Sequence, residues 1–133
     1  LKIIETNTEL IIKPLPTINA FESEFISLFL NLISNAIKFR KPSINCQISI
    51  SANTTDKEVI FAIKDNGIGI EKEYHEKIFE IFQRLHTRKE YEGTGIGLAH
   101  CKKIVELHKG TISLESTVNE GTTFYIALPL NKS

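Results

Sequence analysis

A short acidic and glycine-containing stretch directly after an apolar run constrains this chain more than any other feature. Residues 59–64 read Val-Ile-Phe-Ala-Ile-Lys, and Asp65-Asn66-Gly67-Ile68-Gly69-Ile70 follow. The apolar run predicts a strand, and Gly67 and Gly69 let the backbone leave it through torsions that side chains forbid. A carboxylate held there can accept a hydrogen bond from an amino group such as that of adenine, with the flat base against the glycines. The alternative is an ordinary Asp-Asn-Gly turn.

A second glycine cluster, Gly93-Thr94-Gly95-Ile96-Gly97-Leu98, opens a helical stretch further along the chain. Backbone amides at a glycine-rich helix N-terminus favour an anion, because unpaired N–H groups and the helix dipole both attract negative charge. Phosphate is the natural occupant. The cluster does not follow a strand, as a dinucleotide-binding fingerprint would, and it lacks the Lys-Ser/Thr of a P-loop.

The segment before the first glycine stretch has the pattern of one long helix that ends before Pro42. Asn19 and Glu22 have the spacing of a capping box, which predicts the start of the helix. Apolar residues then recur at spacings of three and four, as expected for one buried face. They are Phe25, Leu28, Phe29, Leu32, Ile33, Ala36 and Ile37.

A polar stripe, Asn31, Asn35 and Lys38, lies on a different face of this predicted helix at spacings of four and three. An amide oxygen is a hard ligand suited to Mg²⁺, and a lysine ammonium can neutralise phosphate oxygens. The stripe is therefore a candidate binding site for Mg²⁺ and phosphate. The alternative is a solvated helix face.

The other segments predict short strands and two more helices. Residues 71–85 have a helical apolar pattern, residues 86–92 are a polar loop, and a third helix runs from Gly95 or Gly97 to His108 with Gly110 as its stop. The predicted strands cover residues 9–12, 46–52, 58–64, 111–114 and 124–128. These elements predict an α/β sandwich with a mixed, mostly antiparallel sheet of about five strands and three helices packed on one face.

Composition places the chain among globular proteins of one domain. It has 133 residues, with 41% hydrophobic and 24% charged, and Lys plus Arg equal Asp plus Glu at 16 each. The charge balance gives no indication of a nucleic-acid or membrane partner. Cys46 and Cys101 are expected to be core thiols, and the four histidines lack the spacing of a metal site. Because the sequence begins at Leu1 and has no Met, we expect residues 1–133 to be a single domain cut from a longer, cytoplasmic or membrane-attached protein.

Four motifs in this order resemble the ATP-binding catalytic domain of sensor histidine kinases, whose Bergerat-type fold is shared with gyrase and the heat-shock chaperone ATPases. The N box of that family resembles residues 31–39, the G1 box residues 65–69, the F box residues 78–82 and the G2 box residues 93–98. A closing Gly121-Thr122-Thr123-Phe124 resembles a further block. The similarity covers nearly the whole chain, and the run from Arg84 to His108 looks most like the phytochrome-like and hybrid kinases.

The resemblance implies a role for each matching residue. Asp65 would bind the adenine amino group, with Thr122 supporting it through water, and Asn35 would coordinate Mg²⁺. Asn31, Lys38 and Arg84 would lie along the phosphates, and residues 86–92 would form a lid over ATP. The remaining residues implied to contact ATP are Gly67, Gly69, Ile70, Gly93, Thr94, Gly95, Ile96, Gly97 and Leu98.

The resemblance also implies the reaction. Hydrolases of this fold carry a Glu four residues before the metal-binding Asn, and this chain has Asn31 there, whose amide cannot act as a base. Transfer of the γ-phosphoryl group to a histidine of a separate dimerisation domain needs no such base. The implied partners are that domain and a response-regulator receiver domain. A nucleotide-responsive module of a degenerate kinase and an anti-sigma-factor-type serine kinase are the alternatives.

Overall fold

The computed structural model describes residues 8–16, 20–79 and 94–130, and the side chains of the last segment from Leu98 onward. The described strands are β1 (Glu9–Ile12), β2 (Gln47–Thr54), β3 (Glu58–Asp65), β4 (Thr111–Thr117) and β5 (Gly121–Pro129). The described α-helices are α1 (Glu22–Lys38) and α2 (Thr94–Leu107), and two 3-10 turns cover Lys72–Tyr74 and Lys77–Phe79. No helix in these segments is long and apolar enough to cross a membrane.

The five strands form one sheet in the order β1-β2-β3-β5-β4. β1 and β2 are parallel, and every other neighbouring pair is antiparallel. The expected mixed, mostly antiparallel sheet is therefore confirmed. β5 comes last along the chain but lies between β3 and β4, so it brings residues near position 122 next to the end of β3.

The core lies between one face of the sheet and the two α-helices. Alternate residues of β2, β3 and β5 are buried, as expected for strands with one face against a core. The buried face of α1 is the predicted one, with Leu28, Leu32, Ala36 and Ile37 fully buried. Cys46 and Cys101 are buried and not in a disulfide, which confirms that both are core thiols.

The start of α1 differs from its sequence signal. The N-cap residue is Phe21, it has no side-chain cap, and Glu22 is the first helical residue, so the expected capping box is wrong. Asn19 lies outside the described residues. Instead, the Phe21 N–H donates to His108 Nε2 at 3.0 Å, and His108 Nδ1 donates to the Ile104 carbonyl at 2.8 Å. A partner 87 positions away thus replaces the local cap.

The described part of the predicted second helix, residues 71–79, consists of the two 3-10 turns. The Tyr74 N–H donates to the Glu71 carbonyl at 2.9 Å, which is the tighter i to i−3 pattern. Phe79 packs edge-on against Phe124 with ring centroids 6.2 Å apart, which confirms that it belongs to the core. Residues 80–85, with Phe82, lie outside the described residues.

The end of α2 has the hydrogen bonds of a Schellman motif. Gly110 N–H donates to the Val105 carbonyl and Lys109 N–H to the Glu106 carbonyl, each at 2.9 Å. Lys109, not Gly110, has the left-handed conformation, with φ of 61°. Gly110 is required for another reason, because a Cβ there would lie 2.3 Å from the Ala127 carbonyl oxygen. The left-handed residue that ends the helix therefore lies one position before the predicted stop, and Gly110 instead permits close approach to β5.

Replacing Lys109 with glycine is expected to raise the free energy of unfolding by about 1 kcal/mol, because glycine adopts a positive φ without the cost to an L side chain. Urea denaturation measures the change. Lys102→Gly is the matched control, since Lys102 is exposed in the interior of the same helix. It should lower the free energy of unfolding by about 1 kcal/mol. A destabilised Lys109→Gly protein would contradict this account of the helix end.

Candidate functional site

The Asp65 carboxylate lies at the end of β3, where β5 crosses beside it. Its Oδ1 accepts hydrogen bonds from Gly67 N–H at 2.9 Å and from Thr122 N–H at 3.2 Å. Burial raises the pKa of Asp65, while these two N–H groups oppose that rise. Oδ2 accepts no hydrogen bond from the described part of the chain. The site therefore holds a half-buried carboxylate with one oxygen available to a donor.

The glycines after Asp65 allow three chain segments to meet. A Cβ on Gly67 would lie 2.6 Å from the Phe39 carbonyl oxygen, just after α1, and that oxygen accepts from Ile68 N–H at 3.0 Å. Gly69 has φ of 78°, and a Cβ there would lie 2.3 Å from the Thr117 carbonyl oxygen. A positive φ, which was expected at both glycines, is therefore needed only at Gly69. Gly67 is required for its close approach to the chain after α1.

The turn between β4 and β5 closes over the same segment. Asn119 has φ of 69°, and its N–H donates to the Ile68 carbonyl at 2.7 Å. The Lys41 ammonium donates to the Asn119 carbonyl. The chain after α1, the glycine segment and the β4–β5 turn are thus joined by hydrogen bonds, so the surroundings of Asp65 form one connected unit.

Two hydroxyl groups lie beside the carboxylate on the core side of the sheet. Ser116 of β4 and Thr122 of β5 are paired in register, and their hydroxyl oxygens are 2.7 Å apart. Ser116 Oγ also accepts from Ile70 N–H at 2.7 Å and donates to the Gly121 carbonyl at 3.0 Å. Thr122 is only 5% exposed. This pair therefore connects the glycine segment to the strand that carries Thr122.

The polar stripe of α1 is present, with its members at different depths. Asn35 is 8% exposed, whereas Lys38 is exposed. The Cys101 thiol of α2 donates to the Leu28 carbonyl of α1 at 3.9 Å, and the Asn31 side chain also contacts this thiol. Burial raises the pKa of Cys101 to about 12, and the Asn31 contact opposes that rise, so this thiol stays protonated at neutral pH.

Residues 21–132 match the family model for the "Histidine kinase-, DNA gyrase B-, and HSP90-like ATPase". The chain belongs to this ATPase family. The match covers most of the chain, including every element that surrounds Asp65. The resemblance inferred from the four motifs is confirmed, and with it the α/β sandwich fold class.

Known relatives of this histidine kinase-like ATPase domain include sensor proteins. Cyanobacterial phytochrome A of Nostoc sp. strain PCC 7120 is 50% identical over 129 residues, which cover 97% of this chain and 17% of that protein. The chain thus spans less than a fifth of the length of this relative. Among solved structures, the nucleotide-free catalytic domain of histidine kinase ThkA has a TM-score of 0.79 at 28% identity, covering 97% of this chain and 84% of that one. Full-length ShkA in complex with AMPPNP has a TM-score of 0.82 at 26% identity, covering 99% and 27%.

The structure of this ATPase domain brings Asp65 and Thr122 into contact, and the glycine segment with Gly67, Gly69 and Ile70 lies beside them. The last turn of α1, with Asn35 and Lys38, ends next to that segment because Phe39 contacts Ile68.

The residues expected to contact the phosphates, around the N-terminus of α2, are described less fully. Helix α2 begins at Thr94, so Gly95, Ile96 and Gly97 are in its first turns. The Leu98 side chain is buried in the core, so it is not available to a ligand. Arg84, Gly93 and the expected lid, residues 86–92, lie outside the described residues.

Sequence reasoning missed Ser116 and the contact between Asn31 and Cys101. A signal for Ser116 was present, because it follows Ile112 and Leu114 at a spacing of two and must share their face of the strand. What the sequence did not show is that Thr122 is its partner, since that depends on the register of the closing hairpin. The Cys101 contact joins two helices and has no local signal.

Proposed function

We propose that this chain is the ATP-binding catalytic domain of a sensor histidine kinase. The observation that carries the proposal is the Asp65 carboxylate, which is half-buried and held through Oδ1 by two backbone N–H groups. A carboxylate with a raised pKa and an available oxygen is stabilised by a ligand that donates a hydrogen bond. The 6-amino group of adenine is such a donor. Similarity to a kinase structure in complex with AMPPNP supports the same ligand class.

Mg²⁺ and the phosphates are proposed to bind between α1 and the N-terminus of α2. Asn35 fits Mg²⁺ as one oxygen ligand, since an amide oxygen is a hard donor and phosphate oxygens would supply others. Lys38 is exposed and can neutralise phosphate charge, and Asn31 and Arg84 are proposed to line the same path. The backbone from Gly93 to Gly97 would line the phosphate end. When bound, Mg²⁺ neutralises charge on the phosphates.

The proposed reaction is phosphoryl transfer to a histidine of a dimerisation domain elsewhere in the parent protein. A nitrogen of that imidazole forms a bond to the γ-phosphorus while the bond to the β–γ bridging oxygen breaks, and ADP leaves. Asn31 cannot accept a proton from water, so the domain positions ATP without activating water for hydrolysis. A response-regulator receiver domain would then take the phosphoryl group. Because this relative is several times longer than the chain, we propose that residues 1–133 are one domain of a longer protein. This domain is proposed to lie in the cytoplasm.

Thermal unfolding with ATP, ADP and GTP, each with and without Mg²⁺, tests the nucleotide site. A ligand that binds only the folded state stabilises it by about 2.7 kcal/mol at a hundredfold excess over its Kd. We expect a rise in Tm that is selective for adenine and sensitive to Mg²⁺. An equal rise with GTP would contradict the role of Asp65, and no rise with any nucleotide at millimolar concentration would contradict the proposed function.

The acceptor is tested with the full-length parent protein and radiolabelled ATP. Phosphohistidine is acid-labile, whereas phosphoserine is stable in acid. An acid-labile product supports the histidine kinase, an acid-stable product supports the serine kinase, and binding without transfer supports the degenerate module.

A further inference from the structure

Ser116 makes three hydrogen-bond contacts with a single hydroxyl hydrogen. Its Oγ is within hydrogen-bond distance of Ile70 N, the Gly121 carbonyl oxygen and Thr122 Oγ1, at 2.7, 3.0 and 2.7 Å. The Ile70 N–H can only donate, and the Gly121 carbonyl can only accept. The Ser116 hydrogen is therefore directed to Gly121 if both of these contacts are satisfied.

This assignment fixes the direction of the remaining contact. Because the only hydrogen of Ser116 is used by Gly121, Thr122 must donate its own hydroxyl hydrogen to Ser116 Oγ. All three contacts are then satisfied together. The lone pairs of Thr122 Oγ1 remain, so this hydroxyl can only accept a hydrogen bond from anything that enters the site.

Thr122 is also joined to Asp65, since its backbone N–H donates to Asp65 Oδ1 at 3.2 Å. An ionised carboxylate is likewise only an acceptor. Two residues that are hydrogen-bonded to each other, Asp65 of β3 and Thr122 of β5, therefore both carry side chains that act as acceptors. A 6-amino purine offers two hydrogens at one nitrogen, whereas a 6-oxo purine offers an oxygen in the same place.

We propose that Ser116 is a positioning residue for purine selectivity, acting by holding the Thr122 hydroxyl as an acceptor so that 6-amino purine nucleotides bind in preference to 6-oxo ones. The inference rests on the proposed nucleotide site and adds a residue that does not itself touch the base. Without the Ser116 hydroxyl, Thr122 can rotate and donate to a 6-oxo group. The selectivity of the site then depends on Asp65 alone.

The test compares the affinities of ATP and ITP, which differ in the 6-substituent and the adjoining N1, in the wild-type protein and in Ser116→Ala. We expect the ratio of ATP to ITP affinity to fall about 3- to 10-fold, the value of one hydrogen bond. Ser113→Ala is the matched control, since Ser113 lies on the same strand with its side chain exposed on the opposite face. Its ratio should equal that of the wild type. Isothermal titration calorimetry gives both affinities.

A double-mutant cycle with Thr122→Val separates positioning from a general structural effect. Ser116→Ala also removes the acceptor of Ile70 N–H, which would weaken ATP and ITP equally and leave the ratio unchanged. If Ser116 acts through Thr122, Thr122→Val alone lowers the ratio, and adding Ser116→Ala lowers it no further.

Selective wild-type binding with an unchanged ratio in Ser116→Ala would overturn the inference and leave the nucleotide site intact. If Ser116→Ala does not fold, an unchanged ratio in Thr122→Val has the same meaning. A wild-type protein that binds neither nucleotide would overturn both proposals.

Discussion

Asp65→Asn is expected to lower the affinity for ATP by about 10- to 100-fold without destabilising the ligand-free protein. A hydrogen bond to a charged group contributes about 1.5–3 kcal/mol, and the asparagine amide would present its own hydrogens to the adenine amino group. Asparagine Oδ1 can still accept from Gly67 N–H and Thr122 N–H, so the local structure is retained. Because burial penalises the ionised carboxylate, its removal relieves a cost. Calorimetry and urea denaturation measure the two effects.

The pH dependence provides a second readout for the same substitution. Burial raises the pKa of Asp65 in the free protein, and a ligand that donates to the carboxylate favours its ionised form. ATP affinity should therefore rise as pH increases through the raised pKa, whereas the stability of the free protein that is due to Asp65 is lost over the same range. Asp65→Asn should lose both dependences, and exposed Asp56→Asn should keep them. Equal ATP affinity in the wild type and in Asp65→Asn would show that Asp65 does not bind the adenine base.

Gly121→Ala is expected to lower the free energy of unfolding by about 3 kcal/mol or more and to abolish the site. Gly121 has φ of 128°, and a Cβ there would lie 2.1 Å from the backbone oxygen of Asp65. Strain at a conformation that favours glycine costs about 1–3 kcal/mol, and overpacking costs a similar amount. The clash is with backbone, so no side chain can rotate away to relieve it. The substitution would push β5 from β3 at the point where Thr122 contacts Asp65.

Chemical denaturation measures this loss, with Glu120→Ala as the control one residue earlier in the same turn. Glu120 is exposed, and its replacement should change the free energy of unfolding by no more than about 0.5 kcal/mol. A loss below 1 kcal/mol in Gly121→Ala would show that β3 and β5 can separate at this position at little cost. Unchanged ATP binding in that variant would also contradict the close joining of the two strands at the site.

The parts of the fold that could be predicted from sequence are those with a local period. The apolar face of α1 and the alternation in β2, β3 and β5 depend on residues a few positions apart, so they were identified correctly. The start of α1 was missed because His108, which directly follows α2, satisfies the Phe21 N–H. The 3-10 turns between 72 and 79 were predicted as an α-helix because apolar spacing cannot distinguish contacts at i−3 from those at i−4.

In the candidate site, too, the features that could be predicted are those with a local sequence signal. Asp65 and the glycines after it have a local signal, since a carboxylate and two glycines follow a strand directly. The pairing of Asp65 with Thr122 spans 57 positions and was expected only from the family resemblance, not from a local signal. The role of Ser116 depends on strand register and on counting hydrogens at one hydroxyl, so it was not expected at all. Asn31 was identified as a site residue from its spacing, but its contact with Cys101 depends on the packing of α1 against α2.

The position of β5 between β3 and β4 has a consequence for how the protein is made. During synthesis, β3 leaves the ribosome long before β5, so its edge has no neighbour on the β5 side until residues 121–129 arrive. An uncovered edge strand can pair with other chains. Thr122 and its contact with Ser116 are also absent until then, so ATP cannot stabilise a shorter nascent chain through this site. Nucleotide binding can therefore report on completion of the sheet, and translation paused before residue 121 should yield a chain prone to aggregation.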